Sequence, residues 1–283
     1  MATFKDSLQL LGVSLMPQHL VSRLAGRFAR SAWSRAAIPL YVRHFNIDVE
    51  QAEKPVGEYD NLLSFFIRRL KPGTRPMAME PDVVISPVDG TIYAAGPIDG
   101  DQLWQVKGET YSLLDFLGGD PEMAERFVDG GFVTIYLSPQ DYHRIHVPFG
   151  GQVKQAHYIP GSLFPVNPFA LRNVTRLFAR NERLATFLET RAGTMGVVKV
   201  GATIVGSVRV VYGDYRTNQR RKARLDKLSG GPRFAKGDEL GRFEFGSTVI
   251  LLFEKGQVRL RDLNVGDKVV LGQPIADAVA LRS

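Results

Sequence analysis

Apolar positions along this chain fall into two textures. Over the first 70 residues they recur at helical spacing. Leu20, Val21, Leu24 and Phe28 share one face of a helix predicted from Pro17 to Ser31. Arg23, Arg27 and Arg30 form a stripe beside that face, about 110° round the wheel at ~100° per residue. An earlier segment, Phe4 to Leu15, is also apolar-rich. A further helix is predicted where Asp60 caps a run carrying Leu62, Leu63, Phe65, Phe66, Ile67 and Leu70, ended by Lys71-Pro72-Gly73. Residues 71–82 are rich in proline and read as a linker.

From about residue 83 the pattern changes to short β-rich runs between turn residues. These are Val83–Ser86, Thr91–Ala95, Phe132–Leu137, Gln152–Ile159, Val197–Val211, Gly241–Phe245 and Thr248–Phe253. Asp120 followed by Pro121 predicts a short helix reaching Phe127. Val265-Gly266-Asp267-Lys268-Val269 and Gly272-Gln273-Pro274-Ile275 have the rhythm of lipoyl-type hybrid β-sandwiches, and ordinary β-turns account for them equally well. The expected fold is α+β: amphipathic helices over 1–70, then a mostly antiparallel β-sandwich or barrel over 71–283 with hybrid-motif-like turns.

Composition narrows the function classes. A chain of 283 residues without cysteine has no disulfide, thiolate metal site or cysteine nucleophile. No run of 18 apolar residues predicts a transmembrane helix, and the N-terminus does not pattern as a cleaved secretion signal. The net charge of +7 is concentrated. Residues 1–45 carry a local +5 and residues 216–236 a local +7, leaving −5 for the remainder. Two basic patches on a mildly acidic body point to an anionic partner surface. The run 220–227 lacks interleaved aromatics, and no nucleic-acid motif is present, so nucleic acid is disfavoured. Arginines flanking an apolar face suit a helix lying in a membrane interface, although the same helices could simply cover a core.

Three segments can carry chemistry. Leu137 to Pro148 holds His143 and His146, two of only five histidines, with a helical turn predicted from Ser138-Pro139 and a strand near Ile145. Two histidines are too few for a metal site, and a plain structural role remains open for each. Ser86-Pro87-Val88-Asp89-Gly90-Thr91 places Asp89 either as a turn former or as a buried carboxylate that orients an imidazole. In Gly241-Arg242-Phe243-Glu244-Phe245-Gly246-Ser247-Thr248-Val249, a Gly-Ser pair interrupts an otherwise continuous strand pattern, as a bend or a hairpin turn would. Gly-x-Ser-x-Gly is absent, which disfavours an ordinary α/β-hydrolase serine.

Together these segments, with Gly161-Ser162-Leu163-Phe164, Val166-Asn167, Phe178 to Arg183 and Val200 to Val208, closely resemble the membrane-associated bacterial phosphatidylserine decarboxylases. The resemblance spans nearly the whole chain. Phe245 departs from the leucine more common in that family before Gly-Ser-Thr.

The resemblance implies a proenzyme that cuts itself between Gly246 and Ser247, giving chains 1–246 and 247–283 that remain together as a heterodimer, with a higher oligomer left open. It implies that Ser247 becomes a pyruvoyl group, the covalent cofactor, which forms a Schiff base with phosphatidylserine and drains electrons as CO2 leaves, giving phosphatidylethanolamine. It carries over Asp89, His146 and Ser247 as the triad of the cut, and His143 as a candidate proton donor or substrate-binding residue. It implies a peripheral enzyme at the cytoplasmic face of the cell membrane. Phe164, Val166, Phe169 and Leu171 are candidates for an apolar entrance. Two rivals use the same observations: a serine hydrolase acting through Ser247, and a non-enzymatic membrane-binding β-sandwich.

Overall fold

A computed structural model describes residues 17–105, 109–203, 207–219, 222–246 and 248–279. The apolar segment Phe4–Leu15 and Ser247 itself lie outside the described residues. The change of texture near residue 83 is a change of architecture: the first described 66 residues contain helices and no named strand, and every named strand follows.

The helices are α1 (Gln18–Arg30), α2 (Ile38–Phe45), α3 (Leu62–Phe66), α4 (Leu113–Phe116), α5 (Pro121–Arg126), α6 (Pro168–Asn173) and α7 (Leu177–Arg180). The strands are β1 (Val83–Ile85), β2 (Gly90–Pro97), β3 (Gln102–Trp104), β4 (Thr110–Ser112), β5 (Gly131–Tyr136), β6 (Arg144–His146), β7 (Gly151–Ile159), β8 (Arg183–Thr190) and β9 (Gly193–Val200). They continue as β10 (Ser207–Val210), β11 (Arg224–Lys227), β12 (Arg233–Phe234), β13 (Glu239–Glu244), β14 (Thr248–Phe253), β15 (Val258–Leu260), β16 (Lys268–Val269) and β17 (Pro274–Ala278).

Helix α1 docks in an unusual sense. Its buried positions are Gln18, Ser22, Gly26 and Ala29, while Leu20, Leu24 and Phe28 face outward. A core helix would present the reverse face. Gln18 accepts from the Leu163 amide, the His19 ring meets the Gly161 carbonyl, and Arg30 pairs with Glu244. Arg30 is therefore bound to the protein, unlike the free stripe expected for it. Helix α3 begins at Asn61, not Asp60, because Asn61 and Ser64 form a reciprocal capping box.

Nine strands form one large antiparallel sheet in the order β11-β7-β8-β9-β14-β5-β2-β16, with β12 also on β7. Its centre is β14, bonded to β9 on one side and β5 on the other. All six residues of β14 are buried. Val249, Leu251 and Phe253 enter one core cluster, and Ile250 and Leu252 enter the cluster on the opposite face. A strand covered on both faces reads as a continuous apolar run, which is how this one appears in the sequence. The first face shares its core with residues of two three-stranded sheets, β10-β13-β6 and β1-β17-β15; the second packs against α4 to α7. The fold is α+β with antiparallel sheets. The expected barrel does not form among the described residues: the large sheet ends at β11 on one edge and β16 on the other, and these edges do not pair.

Candidate active site

Sheet register brings the chemistry-bearing segments to one end of the large sheet. Thr248 at the start of β14 and Thr91 near the start of β2 both face Tyr136, from opposite sides of β5. Two strand spacings, about 10 Å, therefore separate the chain beside position 247 from the chain beside Asp89. Gly90 has to be glycine here, since a Cβ would fall 2.5 Å from the Tyr136 carbonyl oxygen. The loop that leaves β5 at Leu137 folds over this end and carries His143 and then His146 on β6. Its Ser138–Asp141 segment is a tight turn, with the Asp141 amide donating to the Ser138 carbonyl at 2.9 Å. A single hydrogen-bonded turn stands where the helical turn is expected, closed by the Asp141 carboxylate, which accepts from the Ser138 amide and hydroxyl, and no longer helix forms there.

His143 is fully buried. Its Nδ1–H donates to the Asp141 carbonyl at 2.8 Å, which leaves Nε2 as a lone pair. Nε2 has no hydrogen-bond partner among the described residues. A Cβ placed on Gly246 would lie 3.7 Å from it. Burial, assisted by the Arg68 charge, pushes the His143 pKa down to about 3, so the imidazole is neutral at physiological pH. One face of the ring packs on Phe66, ring centroids 3.9 Å apart, and Phe66 in turn stacks on Phe245 at 4.6 Å.

Phe245 and Gly246 carry positive φ angles of 80° and 29°. That region is costly for a phenylalanine, by of order 1–3 kcal/mol, and such strain concentrates where a backbone bond is made to react. Glycine relieves the next position and leaves its carbonyl unhindered. Buried Thr248 Oγ1, like His143 Nε2, has no hydrogen-bond partner among the described residues. Two orphaned polar atoms thus belong to the surroundings of position 247, and a small polar group made from that residue fits there.

His146 occupies the far end of β6. Its amide donates to the Pro87 carbonyl, Nδ1–H donates to the Gly237 carbonyl at 2.7 Å, and Nε2 faces the Tyr142 hydroxyl at 3.3 Å. Burial lowers its pKa; the Gly237 carbonyl and the charges of Glu239 and Asp89 oppose that shift. Asp89 is almost fully buried and accepts from the Leu271 amide and from Arg75 Nε and Nη2, the last at 2.6 Å. The pair is therefore close enough to interact electrostatically, while the direct bonds of Asp89 go to Arg75 and Leu271.

A cavity of about 300 Å³ opens at Gly246, lined by Tyr41, Phe45, Phe66, Tyr136, Val166 and Phe245 among others. Of the expected entrance residues Val166 lines it, whereas Phe164 and Leu171 belong to the core below. Sequence reasoning missed Phe66, Arg75 and Tyr142. A proline-rich linker gave no reason to suspect that Arg75 anchors Asp89, and Phe66 looked like one more apolar residue of a helix.

Comparison with known proteins identifies the family. The profile of the phosphatidylserine decarboxylase family matches residues 62–277. A Brevibacillus brevis phosphatidylserine decarboxylase proenzyme is 47% identical over 92% of this chain and 94% of its own length. Proenzymes of the same description from Pseudomonas aeruginosa and Shewanella sediminis are 42% and 43% identical, each over at least 96% of this chain and 98% of their own length. The class is a decarboxylase made as a proenzyme. This chain belongs to the phosphatidylserine decarboxylase family.

Proposed function

We propose that this chain converts phosphatidylserine to phosphatidylethanolamine and CO2, using a pyruvoyl group that it makes from Ser247. The observation that carries the reading is the bent Phe245–Gly246 junction, which lines an apolar cavity and has a neutral imidazole buried beside it. The Ser247 hydroxyl attacks the Gly246 carbonyl, and the amide becomes an ester. Loss of the Ser247 α-proton then expels the Gly246 carboxylate, and water replaces the resulting imine nitrogen as ammonia leaves. When formed, the pyruvoyl group supplies an electrophilic carbonyl that takes the substrate amine and accepts the electrons left by CO2.

The chain's own residues divide the remaining work. Asp89 and His146 serve the cut, with Ser247 as nucleophile: Asp89 is held in place by Arg75, and its charge favours the His146 imidazolium. His143 serves the decarboxylase. Its Nε2 accepts a proton before it returns one, and the apolar cavity excludes water from the developing carbanion. A second reading, favoured by the 3.7 Å approach to Gly246, makes His143 the base of the cut as well.

After the cut the two chains form a heterodimer. The smaller chain contributes β14 to the centre of the large sheet, β16 to its edge and β17 to the β1 sheet. Each buried apolar residue of β14 stabilises the association by roughly 1.5–3 kcal/mol before ordering costs.

Helices within residues 1–70 serve the membrane, and residues 71–283 hold the catalytic domain. Leu20, Leu24 and Phe28 form an outward apolar row, joined by Trp33 at 87% and Leu40 at 69% exposure. Tyr41 and Phe45, on the same helix as Leu40, line the cavity at Gly246, so lipid can pass from interface to site along α2. No described helix is long and apolar enough to cross a membrane, and peripheral attachment to an anionic cytoplasmic leaflet suits the basic residues beside this row.

Denaturing electrophoresis of purified protein tests the proposal. The active preparation should show two chains, and Ser247→Ala should show one chain without activity. An active, uncut preparation would overturn it.

A further inference from the structure

Arg68 is the cation that the proposed chemistry has not used. It lies just past α3 and is 4% exposed. Nη2 donates to the Gln140 carbonyl at 3.1 Å, and the guanidinium packs 5.2 Å from the Phe65 ring centroid. Nε and Nη1 are buried without a hydrogen-bond partner, and no carboxylate of the described residues pairs with Arg68. The hydroxyl of Tyr59, close by, is buried and unpartnered as well. Both residues line a cavity of about 380 Å³ whose wall carries Lys54, Arg69 and the Glu239-paired Arg144 together with Glu53, Glu58 and Asp60, so the idle donors of Arg68, and not a surplus of basic residues, mark the anion position. A buried guanidinium with two idle donors is costly unless an anion completes it.

Its position indicates which anion. Arg68 bonds the Gln140 carbonyl, next in sequence to the Asp141 carbonyl that accepts from His143, and Nε2 of that ring lies beside Gly246. In a phosphoserine headgroup four bonds separate the amine nitrogen from phosphorus, so a headgroup whose amine reacts at position 247 carries its phosphate towards the neighbourhood of His143. The carboxylate is the poorer candidate. It leaves as neutral CO2, and a cation bound to it would stabilise the ground state more than the transition state. The phosphodiester keeps its charge throughout.

We infer that Arg68, with Tyr59, holds the phosphodiester of the lipid substrate and positions the headgroup for reaction at 247. The inference rests on the proposed decarboxylase activity, which the wild-type assay tests by itself. Mature wild type and Arg68→Gln are compared on dioctanoyl-phosphatidylserine in detergent micelles, after electrophoresis confirms that the variant has cut itself. The apparent KM should rise at least about tenfold, the scale of one lost charge-assisted hydrogen bond, with kcat changed less than about threefold. Dioctanoyl phosphatidate, which has the phosphate but no carboxylate, should inhibit wild type competitively and Arg68→Gln at least about tenfold more weakly. Free serine, which has the amine and carboxylate but no phosphate, should inhibit both alike. If Arg68→Gln stays uncut, Arg68→Lys, which keeps the charge but loses the fork, should show the same KM rise in reduced degree. Unchanged KM and phosphatidate inhibition in a processed variant overturn the inference, as does a raised kcat, which would mean that Arg68 holds the carboxylate.

Discussion

The ring of Phe66 lies between His143 and Phe245, 3.9 Å from one centroid and 4.6 Å from the other. A helix of the N-terminal region thus sets both the imidazole and the residue that opens the bend at Gly246. Phe66→Ala leaves a cavity between the two, worth about 3–5 kcal/mol in a well-packed core. The variant should cut itself markedly more slowly, followed as the ratio of full-length to large chain over time on a gel. Processing at the wild-type rate would mean that this stack does not position the junction. Phe245→Leu, which restores the residue more usual in the family, should be processed normally.

Arg75, half-buried, supplies the cation to the buried Asp89 carboxylate. Arg75→Ala strands the Asp89 carboxylate beside the Leu271 amide and leaves it without its cation. Breaking such a pair costs about 3–5 kcal/mol, so this variant and Asp89→Ala should both accumulate as uncut chain. Arg75→Lys should recover part of the processing, as a single charged donor replaces the fork. Equal processing in Arg75→Ala and wild type would remove the pair from the proposed relay.

The two histidines are separable by what each variant still does. His146→Ala should remain uncut. His143→Gln should be cut yet decarboxylate at least about a hundredfold more slowly, the range expected for a lost proton-transfer group. Should His143→Gln also remain a single chain, the second reading holds and His143 is the base of the cut.

Burial of a neutral His143 carries a pH signature. Its pKa is about 3 in the folded chain against an ordinary value near 6.5. Between those values the unfolded chain binds a proton that the folded chain does not, so stability falls as pH falls below about 6.5. The loss approaches about 1.4 kcal/mol per pH unit. Urea unfolding of uncut Ser247→Ala should therefore lose more stability between pH 7.5 and 5.0 than Ser247→Ala with His143→Gln. Parallel losses would show that another group carries the acid sensitivity.

Much of the fold was legible in the sequence. The run Thr248–Phe253 announced a strand covered on both faces, and Asp120-Pro121 announced the start of α5. What stayed hidden depends on contacts between distant residues. The apolar stripe of α1 and its fitness for a membrane interface were legible, but the choice between that and covering a core was not, because it follows from Gln18, Ser22, Gly26 and Ala29 being the buried face, with Gln18 bonded to the distant Leu163 amide. The gathering of Asp89, His143 and Gly246 at one sheet end follows from strand order, which local periodicity does not encode. Arg68 and Arg75 were two basic residues among many until burial marked out the one and a bond to Asp89 the other.

The outward row on α1 predicts its own test. Leu24→Ser with Phe28→Ser removes two exposed apolar side chains and should reduce co-flotation with phosphatidylglycerol vesicles at least about tenfold. Self-cleavage should continue, since neither side chain is buried. Undiminished flotation would place membrane attachment elsewhere.

Mass analysis of the small chain from active protein, after sodium cyanoborohydride treatment with dioctanoyl-phosphatidylserine, tests the central claim most directly. A chain of residues 247–283, lacking an amino-terminal serine and carrying the reduced lipid adduct at its first residue, is the predicted result. A serine with a free amine at position 247, or an uncut polypeptide that still releases CO2, would contradict it.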